Sequence, residues 1–208
     1  MLSFLHLDRQ FRRPSGLLGR IIARRMRWGN RPEFTRLING FDITDQDRLL
    51  EIGFGPGDSF KLIEGKNAKC QITGIDFSML MIKQASRRNK SLIKAKRLEL
   101  HLGDFRTFDF KDQRFNKIYC VNVVYFWEEL ESGFRKTYEL LENGGVFGIF
   151  MVSNEHIESL AVVNTSVFNR HPISHVKECL EQAGFKEISI NIYESGGSDG
   201  YYIYAFKK

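Results

Sequence analysis

An apolar strand that runs straight into alternating glycines and then into a helix start constrains this chain more than any other feature. In LLEIGFGPGDSF, residues 49–60, the apolar run closes on Glu51 and is followed by Gly53, Gly55 and Gly57. Glycine lets the backbone turn tightly and approach a ligand with no Cβ in between, and the helix that follows presents free N–H groups to the same place. The segment therefore predicts a ligand-binding turn at the end of a buried strand.

From about residue 40 onward, short apolar runs alternate with helical stretches, the pattern of a parallel sheet covered on both faces. Strands are predicted over residues 48–52, 71–75, 98–102, 116–121 and 146–151, and helices over 78–96, 128–141 and 174–183, the last with Ser174 as N-cap and Gly184 past its end. Two β-rich runs, 186–193 and 201–207, follow and are joined by a glycine-rich turn. The fold class is thus α/β, five parallel strands ending in an antiparallel pair.

The dinucleotide pattern GxGxxG would place its third glycine at position 58, which is Asp58, an acid that repels a pyrophosphate. Glu51-Ile52-Gly53-Phe54-Gly55-Pro56-Gly57 instead resembles the first motif of the class I S-adenosylmethionine-dependent methyltransferases, whose cofactor carries an amine and a sulfonium that an acidic strand end suits. The resemblance extends over about residues 45–150. TGIDFSMLMIKQA, residues 73–85, is similar to the second motif, HLGDF, residues 101–105, to the third, and residues 108–127 to the fourth, with Asn122 where the strand meets the site. LLENGGVFGIF, residues 140–150, resembles the turn and strand that close the family's sheet.

The resemblance implies a Rossmann-like, mostly parallel seven-stranded sheet that binds S-adenosylmethionine and releases S-adenosylhomocysteine. It implies cofactor contacts from Glu51, Gly53, Phe54, Gly55, Gly57, Asp76, Phe77, Met81, Asp104, Phe105 and Asn122. Asp76 would accept both ribose hydroxyls, Phe77 or Met81 would pack on the adenine, Asp104 would meet its amino group and Phe105 would flank the ring. Tyr125, Phe126 and Trp127 would line the acceptor side. The residues themselves leave plainer roles open: a carboxylate serving a helix N-terminus for Asp76, a turn cap for Asp104, core packing for Met81 and the aromatics. Within the family the resemblance is to the broad small-molecule group that includes the quinone-biosynthesis C-methyltransferases.

Departures from the family's subgroups matter as well. The stretch Asn122-Val123-Val124-Tyr125 lacks the Pro-Pro that amine-methylating nucleobase and glutamine enzymes carry, and Cys120 lies inside a strand with no neighbouring Arg or His to activate it. Methyl transfer from a sulfonium is an in-line displacement in which positioning supplies most of the catalysis, so no catalytic residue is assigned. Of five histidines only His171 and His175 are candidate bases, and no metal-ligand spacing occurs.

Charge is placed unevenly. Residues 1–38 hold nine arginines against Asp8 and Glu33, a formal +7, while the other 170 residues sum to −1. Residues 1–40 read as a basic helical arm on a methyltransferase domain of residues 41–208, with Leu18, Ile22 and Met26 recurring every four residues beside Leu17, Ile21 and Trp28. A lid is one role for the arm, bringing Trp28 and Asn30 to the acceptor and an Arg to an anionic substrate; peripheral contact with a membrane is another. A nucleic-acid partner is disfavoured because one domain of this size leaves no recognition module. Transfer to RNA or protein, and cofactor binding without transfer, remain the alternatives. Cys70, Cys120 and Cys179 read as buried reduced thiols, and the expected compartment is the cytoplasm, since no apolar run reaches the ~20 residues of a membrane span and no secretory signal opens the chain.

Overall fold

The computed structural model of the chain describes residues 10, 12–66, 69–159, 167–194 and 199–208, with the side chains of residues 25–29 outside that description. Helices α1 (Gly16–Gly29) and α2 (Arg31–Asn39) lead into β1 (Arg48–Ile52), α3 (Ser59–Glu64), β2 (Gln71–Asp76), α4 (Met79–Arg88), α5 (Lys90–Lys94), β3 (Leu98–Leu102) and β4 (Phe115–Val121). A short 3-10 turn, Val124–Phe126, precedes α6 (Leu130–Leu140), β5 (Leu141–Val152), α7 (Asn154–Ser159), α8 (Ile173–Ala183), β6 (Glu187–Tyr193) and β7 (Gly200–Phe206).

Among the described residues seven strands form a sheet in the order β3-β2-β1-β4-β5-β7-β6. The first five in that order run parallel, and β7 lies antiparallel to both β5 and β6. The chain winds outward from β1 to β3 and then returns to β4 on the other side of β1. Strand order therefore reverses between β1 and β4, and the crevice beyond the C-terminal ends of those strands is where such sheets bind ligands.

Parallel strands are covered on both faces and read as nearly continuous apolar runs. Leu49, Leu50 and Ile52 of β1 are accordingly buried without alternation. In β5 successive side chains serve opposite layers: Phe147 meets Phe134 of α6 and Phe185 beyond α8, while Gly148 faces Leu37 of α2 and Phe41. Phe34, Leu37 and Ile38 of α2 belong to the same core as the sheet, and the Tyr204 hydroxyl of β7 donates to the Leu37 carbonyl at 3.2 Å.

Three local expectations change. The helix expected over 78–96 breaks at Asn89, whose side-chain amide donates to the carbonyls of Gly57 (2.9 Å) and Ala85 (3.0 Å) and competes with the helical ladder. The last long helix starts at Ile173 with Pro172, not Ser174, at its cap, the Pro172 carbonyl accepting from Val176. The Gly144-Gly145 turn is absorbed into β5, which starts at Leu141, because Gly144 and Gly145 exchange backbone bonds with Lys207. Cys70, Cys120 and Cys179 are buried free thiols. Among the described residues no helix is long and apolar enough to cross a membrane, and no cluster of metal-ligating side chains occurs.

Candidate active site

A cavity opens at the predicted crevice, beyond the ends of β3, β2, β1 and β4. Its floor is the turn after β1. Gly53 (φ 69°) donates its N–H to the Ile75 carbonyl at 2.8 Å, and Gly55 (φ 53°) donates to Asp76 Oδ2 at 2.9 Å, so the turn is stitched to β2. A side chain at Gly55 would project into open space, whereas one at Gly53 would strike Val123. The turn is thus shaped for close approach of a ligand at Gly55 and for close packing at its base.

Asp76 closes β2 with both carboxylate oxygens engaged by backbone: Oδ2 by Gly55, and Oδ1 by the N–H of Ser78 at 2.8 Å. Burial pushes its pKa from the usual carboxylate range up to about 6, against the pull of those two N–H donors. Each oxygen keeps a further lone pair, and the carboxylate lines the cavity. Asn122, just past the end of β4, lines the same cavity. Asn122 has a left-handed backbone (φ 59°), and its buried Oδ1 has no hydrogen-bond partner among the described residues. A buried amide oxygen left without a donor, on a residue in a costly conformation, marks a place where a ligand's N–H completes the site.

Phe77, Met81, Asp104 and Phe105 also line the cavity. Asp104 is clasped by Arg106, which donates from its backbone and its Nε to Oδ1 (2.9 and 3.2 Å) and from Nη2 to Oδ2 (2.8 Å); these bonds hold the carboxyl below its ordinary pKa. Phe105 lies parallel to Trp127 with ring centroids 5.8 Å apart. Asn30, Phe54 and Trp127 are lining residues as well.

Three expected contacts, Glu51, Gly57 and Tyr125, lie off this wall. Glu51 is fully buried beneath the turn and is not on the wall; Ser59 and Tyr119 donate their hydroxyls to its Oε2, the latter at 2.8 Å. Burial raises its pKa to about 8, which weakens the negative field that an acidic strand end would offer a cationic cofactor. Gly57 packs against Ala85 and Asn89. Tyr125 lies behind the wall against Phe126 and Phe168. The Trp28 side chain is outside the described residues. Of the two candidate bases, His171 sits behind Trp127, its Nε2 bonded to the Trp127 carbonyl at 3.0 Å and its pKa lowered by burial, and His175 is exposed on α8; neither lines the cavity.

Sequence reasoning missed Arg12, Pro14, Phe34, Val123 and Arg106 as wall residues, whereas Phe126 lies on the wall where it was expected. The arm reaches the cavity twice: Arg12 and Pro14 before α1, and Asn30 and Phe34 after it. The Pro14 carbonyl accepts from the Ser78 hydroxyl at 2.8 Å, and the Arg13 guanidinium lies 5.9 Å from the Phe77 ring centre. No periodicity in the sequence marks such contacts.

The donor set fits S-adenosylmethionine: a carboxylate at the end of β2 for vicinal hydroxyls, apolar Phe77 and Met81 for a base, and the unpartnered Asn122 oxygen for an ammonium group. Comparison with known proteins gives the same result. The methyltransferase-domain family model matches residues 49–145. The uncharacterized methyltransferase YdaC of Bacillus subtilis (strain 168) is 32% identical over 153 residues, 74% of this chain and 79% of that protein. The sterol 24-C-methyltransferase of Candida albicans is 25% identical over 114 residues, which are 55% of this chain and 30% of that protein. Phosphoethanolamine N-methyltransferase 2 of Haemonchus contortus, solved in complex with S-adenosyl-L-methionine, shares the fold with a TM-score of 0.74 at 16% identity, covering 100% of this chain and 60% of that one. The chain belongs to the class I S-adenosylmethionine-dependent methyltransferases.

Proposed function

We propose that the acceptor is a small molecule with an apolar body. The observation that carries this reading is the wall contributed by α2 and by the loop after β4. It consists of Asn30, Phe34, Asn122, Val123, Phe126 and Trp127, with no ionisable side chain among them. The charged wall residues, Arg12, Asp58, Asp76, Asp104 and Arg106, come from the start of the arm, the glycine turn and the loops after β2 and β3. The sulfonium of the bound cofactor supplies an activated methyl group. The chain's own contribution is to hold the cofactor through Asp76 and Asn122, to orient the acceptor between Phe34 and Trp127, and to keep water from both. Because the α2 and β4-loop wall offers no ionisable side chain among the described residues, the acceptor proposed is one whose attacking atom needs no proton removed by that wall. The sterol named for the Candida albicans relative is an acceptor of the apolar kind proposed here.

Incubating the purified chain with methyl-labelled S-adenosylmethionine and separate small-molecule, RNA and protein fractions of a cell extract tests the proposal. Label is expected in solvent-extractable small molecules. Label confined to the RNA or protein fraction overturns the small-molecule acceptor, and transfer only to strongly polar metabolites overturns the apolar one.

A further inference from the structure

Helix α1 is amphipathic in an unusual sense. It buries Gly19, Ile22 and Ala23 and turns other apolar side chains outward: Leu17 is 77% exposed, Ile21 60% and Leu18 43%. At about 100° per residue, Arg20, Arg24, Leu17 and Ile21 fall on one outward arc of roughly 100°, with Leu18 about 60° beyond it. Both arginines are exposed, and among the described residues no carboxylate engages either. The helix contains no acidic residue at all. Isolated exposed leucines are ordinary, but three large aliphatic side chains sharing a helix face with unpaired guanidinium groups form a patch with two chemistries.

We propose that the outer face of α1 docks on an anionic membrane surface. A bilayer interface takes both chemistries together: aliphatic side chains enter the headgroup–acyl boundary while guanidinium groups meet lipid phosphates. Other occupants fit less well. A second copy of the chain would set one arginine arc against another. Residues 1–9 include apolar Leu2, Phe4, Leu5 and Leu7, but their Asp8 and Arg9 offer no net negative charge to the arc. Because Arg12 and Pro14 before α1 and Asn30 and Phe34 after it line the cavity, docking sets the cavity mouth beside the bilayer. The docking does not depend on what the acceptor is.

Cosedimentation of the full chain with vesicles of phosphatidylcholine alone, and of equal parts phosphatidylcholine and phosphatidylglycerol, tests the proposal. The chain is expected to pellet with the anionic vesicles at low salt, to be released as salt rises, and to ignore the neutral ones. Leu17→Asp/Ile21→Asp should lower vesicle affinity at least about tenfold, and Arg20→Ser/Arg24→Ser should lower it and flatten its salt dependence. Cofactor affinity by calorimetry should be unchanged in both. Failure of the parent chain to bind anionic vesicles overturns the proposal, as does undiminished binding by the Leu17/Ile21 variant. So does a dimer that this variant dissociates, which assigns the face to a second copy. A lower melting temperature of the same variant, with no vesicle binding by the parent, assigns the face to residues 1–9 and equally overturns it.

Discussion

Asp76 both holds the glycine turn and faces the cavity, and its ionisation links the two tasks. Only the carboxylate form can keep the N–H bonds from Gly55 and Ser78 while accepting two further hydroxyls. Its pKa is raised to about 6 by burial, so S-adenosylmethionine affinity should be flat above about pH 7 and fall as pH drops through 6. Asp76→Asn should weaken binding by about 1.5–3 kcal/mol and abolish this pH dependence; calorimetry between pH 5 and 8 checks both, and an unaltered pH profile in the variant removes Asp76 from the cofactor's contacts. Glu51 gives a stability counterpart. Its pKa rises from 4.5 to about 8 on burial, so the protonated form favours the fold, and that contribution is complete below 4.5 and lost as pH rises through 8. Glu51→Gln keeps acceptors for Ser59 and Tyr119 without the charge. Its unfolding free energy should gain on that of the parent between pH 5 and 9, by on the order of 4 kcal/mol, and a pH-independent difference in urea melts contradicts the assignment.

At the scale of elements, the inner strands were legible because burial on both faces leaves a signature that survives without context: β1 falls where its apolar run places it. Glu51 was legible as part of a motif but not in its place. Its register partner on β4 is Tyr119, and a parallel pair presents both side chains to one face, where the hydroxyl reaches the carboxyl from across the sheet. That pairing lies 68 residues apart in the chain and has no local mark. The break at Asn89 was hidden for the same reason, since its partner is the Gly57 carbonyl of the ligand turn. The turn itself is local, and so is its test. Gly55→Val forces a β-branched residue to φ 53° and sends its side chain into the cavity. The variant should lose about 1–2 kcal/mol of stability and all of the cofactor-induced rise in melting temperature. A retained rise would place the ligand away from this turn.

For the whole molecule, the basic arm and the sheet meet more closely than their difference in composition implies. Reading the first 40 residues as an appendage follows from charge, but charge reports only the outer surface, and the inner one is shared: Ala23, Phe34, Leu37 and Ile38 enter the common core. The arm also touches the cavity at the β2 and β3 loops, through Arg12, Pro14 and the Ser78–Pro14 bond, and not solely near Asn30 and Phe34. A lid over the acceptor alone would leave cofactor binding intact when removed. The contacts here require more. Removing residues 1–30 uncovers Phe77, deletes Arg12, Pro14 and Asn30 from the cavity lining and takes away the hydrogen-bond partner of the Ser78 hydroxyl, the residue whose N–H steadies Asp76. The truncated chain should therefore lose turnover and bind S-adenosylmethionine about 5- to 30-fold more weakly, a cost of roughly 1–2 kcal/mol, while the sheet stays folded because α2 remains in place. Calorimetry and circular dichroism of the truncated chain separate these effects. Parental cofactor affinity with turnover lost would confine the arm to the acceptor, and parental turnover would show that the arm covers neither.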